Sequence, residues 1–210
     1  MTVRIKWHAH SAFFITSSGL RIYLDPYQLI EPVPADVIFL THPHVDHVFP
    51  TDLKKICTPE TVVVAPFPVP EWVGGKPRRI SCGETAVIEG ISVTAIPAYN
   101  TNKLFHPREA GWAGFLLTVG GVTLYHAGDT DLIPEMKGIR ADVALVPVSG
   151  GYTMTAEEAA RAVESMSVTR AVPMHFGLVV GRSADARRFA DLCPKPVLLP
   201  QRGEWLEGFG

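Results

Sequence analysis

Three histidines and one aspartate fall within six residues in Thr41-His42-Pro43-His44-Val45-Asp46-His47, directly after the apolar run Val37–Leu40. Of all features of the chain, this one most restricts the fold. A buried strand that ends on such a cluster must deliver it to a cavity rather than to the core, because histidine and aspartate are poor core residues. In extended backbone alternate side chains share a side, so His42 and His44 can converge on one ion. A turn then lets Asp46 and His47 face a second ion. Neutral imidazole with carboxylate is the donor set of zinc and similar divalent metals. The competing reading, a polar loop that happens to be rich in histidine, gives no reason for this spacing after a strand.

The rest of the 210 residues supplies short strands and turns. Eighteen prolines and eighteen glycines punctuate a chain that is 47% hydrophobic, too apolar for disorder. Strands are expected at 3–7, 12–16, 20–24, 37–41, 61–65, 86–89, 91–96, 114–119, 122–126, 142–147 and 171–174, with a short helical stretch at 51–56. Two further segments are helical. Thr155 with Glu158 has the spacing of a capping box and opens a helix to about Ser165. Ser183 is expected to cap a helix over 184–192. The stretch 66–77 is expected as a surface loop, and the short basic cluster of Lys76, Arg78 and Arg79 as solvated. No linker, repeat or low-complexity segment divides the chain, so residues 1–210 are read as a single α/β domain.

Charge narrows the function. Nineteen basic against 21 acidic residues leave a net charge of −2, without the basic stripe of a nucleic-acid-binding protein. No run is long enough to span a bilayer. The three cysteines, Cys57, Cys82 and Cys193, form no paired motif. A cytoplasmic protein acting on a small molecule is expected, with no nucleic-acid or membrane partner. A homo-oligomer is compatible with the sequence.

Four further segments, in order, carry a resemblance. The His-X-His-X-Asp-His pattern after a strand is the signature of the metallo-β-lactamase superfamily. Trp7-His8-Ala9-His10-Ser11, Leu24-Asp25-Pro26, Tyr125-His126-Ala127-Gly128-Asp129-Thr130 and Pro173-Met174-His175-Phe176-Gly177 are similar to segments of one of its branches. That branch is the small, single-domain group similar to L-ascorbate-6-phosphate lactonase and to other metal-dependent hydrolases. The resemblance implies a four-layer αββα sandwich with one or two divalent ions at an edge of the paired sheets. Zinc is expected, with manganese, iron or nickel as alternatives. Carried over by position, His42 and His44 hold the first ion, and Asp46, His47 and His175 the second, with Asp129 bridging. Relatives usually supply a third histidine to the first ion, and here Asn100 stands in its place. Asn100 is therefore taken as a weak amide ligand. His106 is the alternative replacement, set against its reading as an exposed loop residue.

Other residues follow by chemistry. Asp25 is either the partner that orients a ligating histidine or a turn residue. His8 and His126 are read as structural. The implied activity is hydrolysis by a metal-bound hydroxide of a small ester, lactone or phosphoester, the substrate carrying phosphate or not. Asp46 and Asp129 are expected as catalytic, and His10 as a donor to the leaving group. A phosphodiesterase, or a metal or ligand sensor that kept the fold without catalysis, are the alternative readings. A β-lactam substrate is disfavoured by the absence of a signal peptide.

Overall fold

The computed structural model describes residues 2–206 and 209; the other positions of the expected 1–210 domain lie outside them. Two mixed sheets pack face to face. The first holds β1 (Val3–Ala9), β2 (Ala12–Ser17), β3 (Leu20–Leu24), β4 (Val37–Phe39), β5 (Val62–Ala65), β6 (Lys76–Arg79) and β13 (Trp205–Leu206), in the order β13-β1-β2-β3-β4-β5-β6. The second holds β7 (Thr85–Ile88), β8 (Ile91–Pro97), β9 (Ala113–Val119), β10 (Val122–His126), β11 (Arg140–Pro147) and β12 (Ser167–Met174), in the order β12-β11-β10-β9-β8-β7.

The apolar runs are continuous because the central strands bury both faces. Val37 and Phe39 of β4 point into the core between the sheets, whereas Ile38 and Leu40 join an outer cluster with Leu53 and Ile56 of α1 (Pro50–Ile56). Phe39 meets Phe115 of the second sheet at a ring separation of 5.2 Å. On the far side α2 (Ala156–Ser165) and α3 (Ser183–Leu192) cover the second sheet with Ala159, Val163 and Phe189. The result is the four-layer αββα sandwich. Among the described residues no helix is long and apolar enough to cross a membrane.

The helix ends follow local chemistry. Thr155 caps α2, its hydroxyl accepting from the Glu158 amide at 3.2 Å while Glu158 accepts from the Thr155 amide at 2.8 Å. Ser183, expected as a cap, is instead the first residue of α3. The cap is Arg182, whose amide donates to the Asp185 carboxylate at 2.6 Å. The expected loop at 66–77 also needs correction, because Lys76–Arg79 forms β6, parallel to β5. All four residues of β6 are exposed, and three charges on an edge strand discourage pairing with another chain.

Strand direction gathers the loops. The strands β3, β4, β5 and β6 run parallel, as do β10, β11 and β12, while β1 and β8 each reach the same sense through two antiparallel steps. The residues following β1, β3, β4, β8, β10 and β12 therefore meet at one edge. Cross-sheet hydrogen bonds fix that edge: the His175 amide donates to His10 O at 2.9 Å and the Ala113 amide to Thr41 O at 3.3 Å. Gly114 in β9 is a tight point beside it. A Cβ there would lie 2.4 Å from His126 O and 2.5 Å from Ala127 O, both backbone atoms. Gly114→Ala is expected to cost about 1–3 kcal/mol, seen as a lower midpoint in urea with an unchanged slope.

Candidate metal centre

Eight residues converge where the strand ends meet: His10, His42, His44, Asp46, His47, His106, Asp129 and His175. Their ligand atoms fall into three overlapping sets, each within 4.8 Å: His42, His44 and His106; His42, His47 and Asp129; and His10, Asp46, His47 and His175. Asp129 is at the centre. Its Oδ2 lies 2.8 Å from His175 Nε2, 3.4 Å from His106 Nε2 and 3.9 Å from His42 Nε2, and its Oδ1 lies 3.4 Å from His47 Nε2.

The four rings that point Nε2 towards Asp129, those of His42, His47, His106 and His175, are each held at Nδ1. The Thr41 hydroxyl donates to Asp25 Oδ2 at 2.7 Å, which leaves it to accept from His42 Nδ1 at 2.9 Å. His42 Nε2 is then the bare nitrogen. His47 Nδ1 lies 2.7 Å from Asp25 Oδ2, and His175 Nδ1 lies 2.8 Å from Ser149 Oγ. His106 Nδ1 lies 3.0 Å from Asn100 Oδ1. The orientation of that amide is forced, because its Nδ2 faces two acceptors, Asp131 Oδ1 at 3.1 Å and Tyr152 O at 2.9 Å. His106 therefore donates from Nδ1 and keeps Nε2 free.

That geometry corrects two expectations. Asn100 is not placed as a ligand, since its oxygen also accepts the His106 amide at 3.0 Å and is committed to holding the loop. His106, 1% exposed, brings its ring to 5.0 Å from both His42 and His44 and completes the first set. Nor is His10 placed to donate to a leaving group: it is fully buried, behind Asp46. Its Nε2 is 3.2 Å from Asp46 Oδ2, within ion-pair reach but misaligned for a hydrogen bond. His42, His44, Asp46, His47, Asp129 and His175 are all among the converging residues. Of the two readings of Asp25, the structure displays the orienting one. His8 and His126 bond to backbone, at the Ile30 amide and Ser11 O. The sequence reading missed Ser149 and Thr41 as anchors and Trp112, whose ring lies 5.1–5.7 Å from His42, His44 and His106. Ser149 in a glycine-flanked turn was the one available signal.

The backbone is strained at the same edge. His10, Asp25 and His175 have φ of 53°, 43° and 61°, a left-handed conformation uncommon for residues other than glycine. Each ends a strand and turns its side chain inward at once.

Electrostatics separate the histidines. Burial, reinforced by His47, holds His42 well below the ordinary value, and burial with His106 lowers His44. Burial and the neighbouring His175 bring His10 to about 4. Burial opposes a charge on His47 too, yet the Asp129 and Asp25 carboxylates hold its pKa well above the ordinary value. Burial likewise works against ionised Asp129, but His175 and His47 outweigh it and keep the carboxyl well below its usual range. For Asp46, His10 and His47 likewise overcome the cost of burial.

A pH dependence of stability follows for protein stripped of metal. Histidines with lowered pKa lose stability as pH falls below 6.5, the ordinary value; His47, with a raised pKa, loses it as pH rises above 6.5. Chelator-treated protein should show a maximum in thermal midpoint near pH 6.5, with the steeper fall on the acid side. A midpoint rising steadily through pH 8 contradicts these assignments.

The residues fit a metal. His10, His42, His47 and His106 Nε2 and Asp129 Oδ1 are all buried, clustered and without a hydrogen-bond partner. Orphaned buried polar atoms are rare in folded proteins, and five at one point form the nitrogen and carboxylate donor set of a divalent ion. The cluster forms the floor of a cleft of about 430 Å³, with His44, Asp46, His106, Asp129 and His175 in its lining.

Comparison with known proteins gives the same picture. The family model described as "Beta-lactamase superfamily domain" matches residues 4–175. The chain is 30% identical over 208 residues to a UPF0173 metal-dependent hydrolase of Methanopyrus kandleri, covering 89% of this chain and 90% of that one. A relative of the same name from Methanoculleus marisnigri is 35% identical over 190 residues, covering 83% and 81%. Among solved structures, a protein of Parabacteroides distasonis, provisionally named a metal-dependent hydrolase, superposes with a TM-score of 0.81 at 29% identity, covering 94% and 92%. Strand-edge geometry, unpartnered donors and ancestry thus agree: this chain belongs to the metallo-β-lactamase superfamily, among its metal-dependent hydrolases.

Proposed function

We propose that the protein hydrolyses a small carboxylic ester or lactone, with one ion held by His42, His44 and His106, a second by Asp46, His47 and His175, and Asp129 between them. The observation that carries this reading is the convergence of buried, unpartnered Nε2 and Oδ atoms at the floor of a cleft. When bound, such ions lower the pKa of a coordinated water towards about 7 and polarise the substrate carbonyl.

The chain's own groups supply positioning and proton transfer. Asp46, with its side chain 22% exposed, is the carboxylate of the cluster most open to the cleft; Asp129 is 3% exposed. Asp46 orients the attacking water, takes its proton and returns it to the leaving alkoxide. His10 packs against Asp46 with its Nε2 3.2 Å from Oδ2, as a positioning residue for this carboxylate. Asp25, Thr41, Asn100 and Ser149 hold the ligand rings, so little reorganisation is left for the reaction itself.

A lactone accords with the resemblance to the branch of L-ascorbate-6-phosphate lactonase, and zinc is the first choice of metal. We take residues 1–210 as a single domain acting in the cytoplasm on a small molecule. His106 completes a nitrogen set for the first ion, which removes the reason to favour a sensor. The test is metal analysis of purified protein, followed by turnover of ester, lactone and bis(4-nitrophenyl) phosphate panels with and without chelator. Ester or lactone turnover that chelator abolishes and added zinc or manganese restores is expected. Stoichiometric metal with no turnover of any class overturns the reading in favour of a sensor, and preference for the phosphodiester overturns it in favour of a phosphodiesterase.

A further inference from the structure

Above the metal-binding floor, the cleft is walled by Val45, Phe105, Tyr152, Val179 and Val180. No lysine or arginine is among its lining residues, and the charged groups it does present belong to the floor. The walls are also unusually exposed for apolar side chains: Val45 is 66% accessible, Phe105 49%, Tyr152 41% and Val179 45%. They come from three separate loops, after β4, β8 and β12, and a fourth after β11. Such a concentration at one mouth is not scattered surface hydrophobicity.

The wall is built, not incidental. Phe105 and Tyr152 meet edge to face at 4.4 Å. Asn100 braces both: its amide nitrogen donates to Tyr152 O, and its oxygen accepts the amide and the ring nitrogen of His106, next to Phe105. The same loop contains two cations, but Lys103 is taken up in an ion pair with buried Asp131 and Arg108 in one with Glu135 at 3.0 Å. With both cations paired and outside the lining, the loop presents a phenyl ring to the cleft and no free cation to receive a phosphate.

We propose that the substrate carries a neutral apolar or aromatic substituent, seated between Phe105, Tyr152 and Val179, and that phosphorylated or otherwise anionic substrates are selected against. This rests on the ester or lactone reading and narrows it. Apolar area removed from water supplies the affinity, while an anionic tail would be desolvated against apolar walls without a partner.

The test uses metal-loaded protein and two hydroxamic acids that share a metal-seeking head and differ only in the tail. These are 5-phenylpentanohydroxamic acid and 5-sulfopentanohydroxamic acid, titrated by calorimetry. The phenyl compound should bind at least tenfold more tightly. Phe105→Ala should remove most of that preference with unchanged metal content. Val179→Arg should shift it towards the sulfonate, which keeps the idea testable should the Phe105 variant fold poorly. Equal or tighter binding of the sulfonate by the parent overturns the proposal. So does a Phe105→Ala variant that keeps the preference but changes its mass in solution, since the patch would then be covered by a second copy of this chain. Turnover of the matched methyl esters reads separately: tail-selective binding without ester cleavage supports this inference and overturns the ester reading. Cleavage favouring the sulfonate overturns the inference alone.

Discussion

Asp129→Asn is expected to empty both ion positions and lower ester or lactone turnover by about a thousandfold or more. The carboxylate is within 3.9 Å of four histidine Nε2 atoms, so no other single residue belongs to as many prospective contacts. An amide of the same shape keeps the packing but presents one N–H₂ group to nitrogens that need an anion or a cation between them. The loss should therefore appear in metal content measured by mass spectrometry as fully as in activity, with the fold intact by circular dichroism. A variant that keeps two ions per chain and loses only turnover would give Asp129 a role in the reaction rather than in metal binding.

Asp25→Ala should produce the second large effect, on stability and metal together. Asp25 is fully buried and accepts the Thr41 amide at 2.8 Å, the Thr41 hydroxyl at 2.7 Å and His47 Nδ1 at 2.7 Å. Removing it orphans these donors and takes from His47 one of its two buried carboxylate partners, a loss of about 3–5 kcal/mol. Because Thr41 also fixes the His42 ring, one substitution loosens a ligand from each set. Metal affinity should fall by roughly 10–100-fold. Denaturant titration in the presence of chelator isolates the first effect, and competition with a chromogenic chelator measures the second. Unchanged metal affinity in a destabilised variant would make Asp25 a turn residue only.

The cluster from His42 to His47 was legible because its members are contiguous and follow an apolar run. Asp129 and His175 were legible as residues just past strand ends, once the first cluster gave them something to approach. Asn100 and His106 were legible only as alternatives for one position. Asn100, at the expected position after β8, holds the ring of His106, which arrives six residues later on a returning loop and faces His42 and His44. Spacing along the chain carries no record of where such a loop turns back. The same limit hid β6, whose Lys-Pro-Arg-Arg sequence lacks alternation and pairs only because β5 offers an edge distant in sequence. It also hid β13, two residues that pair with β1 from the other end of the chain. A mixed α/β domain was readable because the central strands are apolar runs and the turns fall on glycine and polar residues; the four-layer sandwich was implied only by the resemblance.

The central claim is that His106, and not Asn100, completes the first ion position beside a second built on Asp46, His47 and His175. A crystal of the zinc-loaded protein, with diffraction recorded on both sides of the zinc absorption edge, tests it directly. Two anomalous peaks are predicted, one bounded by His42, His44 and His106 and the other by Asp46, His47 and His175, with Asp129 between them. A first peak coordinated by Asn100 Oδ1 with His106 swung away, or no peak beside His42 and His44, would contradict the account.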